Sequence, residues 1–159
     1  MTAGYSYFQN DNTFEFYTKF GASYLVTFTK VDAYFPTTNK VKDFIHSIDI
    51  QLNDPGPFNN LDVVVGITIA EIIFHFFEQD NRNVLFYTCD PIDGRMNARI
   101  RKFNNWFLYF NNGKFKKVDE TIASSSFKVV ASFIFHKNNP FAYDLPTIID
   151  EAKDNLGNK

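Results

Sequence analysis

Val84–Phe110, VLFYTCDPIDGRMNARIRKFNNWFLYF, decides the fold. Val84–Cys89 is a continuous apolar run of strand length, the pattern of a strand covered on both faces, and so belongs at the centre of a sheet. The Pro91–Gly94 turn follows, then a helix in which Met96, Ile100, Phe103, Phe107 and Phe110 form a narrow apolar stripe. Arg95, Arg99, Lys102 and Trp106 make a second stripe beside it, and Asn111-Asn112-Gly113 supplies residues that adopt the left-handed conformation closing a helix. From Gly94 to Val118 there are seven Lys or Arg and no acid, in a chain of formal charge −2.

Upstream, strands are predicted at Tyr5–Phe8 and Phe14–Tyr17 around an Asn/Asp-rich turn, and at Ala22–Lys30 after a turn holding Gly21. In Phe44–Leu52 the alternation puts Phe44, His46, Ile48, Ile50 and Leu52 on one face, with Ser47, Asp49 and Gln51 on the other. Asn53–Asn60, with Pro55, Gly56 and Pro57, reads as a loop. Thr68-Ile69-Ala70-Glu71 has the form of a capping box, so a helix is expected from about Ile69 to Gln79. Its wide apolar arc leaves Glu71, His75 and Glu78 on the remainder and implies burial against more than one layer or against a partner. Phe115–Ala123 and Phe127–His136 read as a final strand pair, and Leu145, Ile148, Ile149, Ala152 and Leu156 mark a closing amphipathic helix.

These elements compose a single α+β domain over residues 1–156, with a frayed tail at 157–159. Its sheet should be mixed but mostly antiparallel, with about seven strands, two main helices and a C-terminal helix. A chain of 159 residues suits one core. Twenty Phe and eight Tyr are unusual at 45% apolar content; they reflect either AT-rich coding, which also enriches Asn and Lys, or an aromatic surface through which the chain forms a homodimer. One cysteine, Cys89, cannot form an internal disulfide, which suits a reducing compartment. The N-terminus lacks the basic start and apolar core of a signal peptide, and no apolar run spans a bilayer, so a cytoplasmic protein is expected without membrane attachment.

The strongest chemical grouping is Asp90, Asp93, Arg95, Arg99, Lys102 and Trp106. Two arginines one turn apart near a helix entrance suit a phosphate or carboxylate ligand. Asp90 and Asp93 equally suit capping the helix and neutralising Arg95, which would make the group architectural. An acidic protein surface is a further partner for the same charges. Nucleic acid is disfavoured, because outside Gly94–Val118 nine Lys or Arg face eighteen Asp or Glu. His46, His75 and His136 lie on separate elements without metal-ligand spacing, and Cys89 at the end of an apolar strand reads as a core thiol. No phosphate-binding glycine loop, serine elbow or metalloprotease motif occurs, so no catalytic residue, metal ligand or cofactor is assigned.

The run Val84–Asp90 with Asp93-Gly94-Arg95, Arg99, Phe103 and Trp106-Phe107, preceded by Thr68-Ile69, resembles the DUF6169 family of bacterial (Bacteroidota) proteins, over nearly the whole chain. That resemblance implies a shared fold and no activity, the family having no assigned function. The element order is also similar to the second half of GNAT-type N-acetyltransferases, which would imply a site for a phosphate-bearing cofactor near Arg95 and Arg99. Two residue patterns depart from it. Asp54-Pro55-Gly56-Pro57-Phe58-Asn59-Asn60 stands where those enzymes carry a Gln/Arg-x-x-Gly-x-Gly/Ala turn, and Phe103 stands where a tyrosine acid often would. The reading is a non-enzymatic binding domain with an anion-recognition surface at Asp90–Lys102. The alternatives are a divergent acyltransferase and a nucleic-acid binder using the basic helix.

Overall fold

The computed structural model describes residues 3–31, 40–57, 61–89, 101–102, 104–105, 107–108, 111–123 and 128–157. Seven strands form one sheet: β1 (Tyr7–Asn10), β2 (Thr13–Tyr17), β3 (Ser23–Lys30), β4 (Ile45–Asp54), β5 (Val84–Cys89), β6 (Phe115–Ala123) and β7 (Lys128–His136), in the order β1-β2-β3-β4-β5-β7-β6. Every pairing is antiparallel except β4 with β5, which are parallel and joined by helix α1 (Val63–Gln79). Helix α2 (Leu145–Gly157) closes the chain. The result is an α+β domain with a mixed sheet, as the pattern of elements required. Residues Arg101, Lys102, Asn104, Asn105, Phe107 and Leu108 are helical, in the stretch predicted to be the basic helix.

The two faces of the sheet carry separate cores. On one, Phe14, Phe16, Val26, Phe28, Leu85 and Ile134 pack against Ile69, Ile72, Ile73, Phe76 and Phe77 of α1. On the other, Val84, Phe86, Ala131, Phe133 and Phe135 pack against Leu145, Ile148 and Ile149 of α2. β5 alternates between them, which explains its unbroken apolar run. Aromatic rings fill much of the first core; Phe28 and Phe76 stack in parallel at 4.2 Å between centroids. Among the described aromatics, Phe8, Tyr17 and Tyr143 remain largely exposed.

Helix α1 begins six residues earlier than the capping box suggested. Asp62 is the cap, its carboxylate accepting from Val64 N at 3.0 Å, and β-branched Val63, Val64 and Val65 form the first turn. Thr68 and Glu71 serve a different purpose. The Thr68 hydroxyl donates to Val64 O at 2.7 Å and accepts from Tyr5 N at 2.8 Å, while the Glu71 carboxylate accepts from Gly4 N at 3.0 Å. They pin the chain entering β1 to α1. Glycine is needed at position 4, since a Cβ there would lie 2.5 Å from Glu71 Oε2 and 2.8 Å from Thr68 Cα.

β4 also starts differently. Residues Lys40–Phe44 form a 3-10 turn, and Ile45 enters the α2-side core, while His46, Ile48 and Ile50 face α1. His46 lies edge-on to Phe76 with Nδ1 2.8 Å from Phe44 O, so this nitrogen carries the proton. Burial lowers its pKa; the Phe44 carbonyl opposes that, Lys30 adds to it and Asp80 opposes it.

Two stability tests follow from these contacts. Thr68→Val should lower unfolding free energy by about 1–2 kcal/mol because it leaves the Tyr5 amide without its acceptor, and Gly4→Ala should also lower it because the added Cβ would push the entering segment off Thr68 and Glu71; urea denaturation measures both. His46 has a lower pKa folded than unfolded, so the unfolded chain binds more protons and stability should fall as pH drops below the unfolded value of about 6.5. His46→Gln should flatten the urea midpoint between pH 7.5 and 5.5.

Candidate functional site

The parallel strands β4 and β5 stay together only briefly. Ile45, His46 and Ser47 pair with Val84, Leu85 and Phe86, after which β4 runs on to Asp54 and β5 to Cys89 without further mutual pairing. A crevice beyond the carboxyl ends of parallel strands is where open sheets with helical crossovers commonly receive ligands.

A cavity of about 620 Å³ lies at this end of the molecule, on the α1 face. Tyr24 of β3 and Ile50 of β4 line its sheet side, Val63, Gly66 and Ile69 its α1 side, and Lys102 and Asn105 the side of the helical stretch after β5. Leu61 and Val63 stand at its rim, 96% and 71% exposed, so apolar surface faces solvent beside the opening. A smaller recess of about 240 Å³ adjoins it and shares Tyr24, Asp62 and Val65. Two glycine turns back that recess. Gly21 and Gly56 have φ of 84° and 70°, and a Cβ on Gly56 would meet the Gly21 carbonyl carbon at 2.8 Å.

Asp62 sits between the two spaces. Besides capping α1 it accepts the Tyr5 hydroxyl at 2.6 Å. Burial and this hydrogen bond raise the Tyr5 pKa. A carboxylate already occupies the helix entrance, where an anionic ligand would otherwise be drawn. Tyr24 is fixed in the wall by stacking on Phe16, 5.2 Å between centroids.

Of the six residues singled out from the sequence, Lys102 is described, and it lines the cavity as an exposed cation. Asp90, Asp93, Arg95, Arg99 and Trp106 lie outside the described residues. Sequence reasoning missed Tyr24, Ile50, Asp62, Val63 and Gly66. Asp62 was visible as a cap in principle, but the Val63-Val64-Val65 run that follows has strand character and hid the helix start. Tyr24 and Ile50 carry the ordinary alternation of sheet residues, and nothing local distinguishes a wall from a core.

Among the described residues, no three or more His, Cys, Asp or Glu side chains gather as a metal site would require, and no helix is long and apolar enough to cross a membrane.

Comparison with curated proteins finds no match. Residues 62–153 match a family of unknown function, DUF6169, a span that opens at the Asp62 cap and takes in α1, β5, β6, β7 and most of α2. More than half of the chain is covered, and the protein belongs to the DUF6169 family.

Proposed function

We propose that the protein is a non-enzymatic cytoplasmic binding domain that takes an amphipathic organic anion at the open end of β4 and β5. The observation carrying this reading is the cavity of about 620 Å³, whose walls are largely apolar and whose one described cation is Lys102. An apolar cleft with few polar groups suits a ligand whose hydrophobic part is buried and whose charge stays at the mouth. The chain between Cys89 and Lys102 carries Asp90, Asp93, Arg95 and Arg99, and Trp106 follows Lys102 by four residues. In this reading the two arginines join Lys102 in holding the anionic group.

A second reading, a divergent acyltransferase-like protein with a phosphate-bearing cofactor, is favoured by the brief parallel pairing of β4 with β5 and the strand order around it. The Asp62 cap weighs against it, since its carboxylate takes the Val64 amide that would otherwise face a phosphate.

A thermal-shift panel of acyl carboxylates, coenzyme A, acetyl coenzyme A, nucleotides and short oligonucleotides tests both readings, because a ligand of the native state raises its melting temperature. Acyl carboxylates should raise it, and Lys102→Glu and Val63→Asp, both at exposed positions, should each weaken binding about tenfold with little effect on the unliganded melting temperature. A shift with acetyl coenzyme A alone would favour the acyltransferase reading. A response to oligonucleotides alone, or to nothing in the panel at millimolar concentration, would refute the first.

A further inference from the structure

The two edges of the sheet are unlike. β1 has four residues, a short edge that offers little to pair with, whereas β6 has nine and keeps an unbroken register against β7 from Phe115 to Ala123. Among the described residues β7 is the strand beside β6, and the order of the sheet ends there. A long regular edge invites another strand unless something prevents it.

The middle of β6 reads Lys116-Lys117-Val118-Asp119-Glu120, two bases and two acids about a central valine. We propose that β6 pairs antiparallel with β6 of a second copy across a twofold axis at Val118, joining two sheets into one. Residues directly opposite in an antiparallel pair project to the same face, so a twofold axis normal to the sheet passes through a residue rather than between two. At Val118 it sets Lys117 opposite the partner's Asp119 and Lys116 opposite the partner's Glu120, and symmetry repeats both. All four pairs are of opposite charge. Centred at Lys117 or Asp119, the same strands would oppose like charges, which destabilises a cross-strand pair. The charge order therefore selects one register.

Neighbouring contacts hold the acids in place. Asp119 accepts from Ser132 Oγ at 2.6 Å and pairs with Lys117, and Glu120 lies 3.4 Å from Lys153 of α2. Because α2 lies over β6, a second copy brings its own helix to the same face and adds side-chain contact to the backbone ladder. The lysines guard the edge against uncharged strands, and the acids remove that guard for a strand of the same sequence. Exposed Phe8 and Tyr17 lie on β1 and β2, at the far side of the sheet and outside this interface.

Sedimentation equilibrium of the full chain tests this. The mass should rise with concentration from 18.5 kDa toward twice that value. Lys117 is largely covered and is left unchanged; Lys116 is exposed. K116E and E120K should each self-associate at least about tenfold more weakly, because each opposes like charges twice in its own dimer. Mixed in equal amounts they should associate as strongly as the parent, since every pair is again of opposite charge. Val118→Cys should cross-link between copies on oxidation beyond any background from Cys89. A parent chain monomeric up to 0.5 mM, variants that associate like the parent, a mixture no stronger than its components, or no extra cross-link would overturn the proposal.

Discussion

The structure depends on covering β5 from both sides. Its side chains alternate between Leu85 and Tyr87, which join the α1 core, and Val84 and Phe86, which join the α2 core. A strand this apolar gains by burial only if neither face meets water, so one helix must lie on each side of the sheet. The crossover from β4 supplies α1, and the chain beyond β7 supplies α2. Buried Asn139 ties that last connection to the start of β5: its amide donates to Arg82 O at 3.0 Å and its side-chain oxygen accepts from Phe141 N at 2.8 Å.

The same arrangement explains where the sheet opens. β5 turns to antiparallel partnership with β7 along its whole length, whereas its parallel contact with β4 ends at Ser47 and Phe86. Since α1 returns the chain from the carboxyl end of β4, its first turn and the end of β4 meet Lys102 and Asn105 at one end of the molecule. A cleft there is a consequence of topology before it is a matter of side chains. Side chains then set its character: the Asp62 carboxylate accepts from the Val64 amide at the helix entrance, apolar Ile50 and Ile69 line the interior, and Lys102 supplies positive charge. DUF6169 is a family of unknown function, so membership assigns no activity.

Much of the fold was legible because its signals are local. The alternation from His46 to Leu52, the continuous run at Val84–Cys89 and the spacing of Leu145, Ile148 and Ile149 each identify an element without reference to the rest. The start of α1 was misread because Thr68 and Glu71 satisfy the capping pattern while serving another end. Their partners, Gly4 and Tyr5, are 67 and 63 residues away, and no sequence window contains both sides of that contact. Of the expected site, Lys102 does line a cavity. The five other residues lie outside the described part of the chain, and the cavity's sheet-side wall comes from residues whose sequence pattern is that of any strand.

By itself, the sequence determined the class of fold, the identity of an interior strand covered on both faces and the place of the positive charge along the chain, because periodicity, turn chemistry and charge are properties of neighbouring residues. Tertiary structure alone decided that β7 lies between β5 and β6, that α1 and α2 take opposite faces, and that Tyr24, Ile50 and Asp62 share a cleft with Lys102. Those outcomes depend on which distant surfaces bury each other best, and that is fixed only when the whole chain is packed.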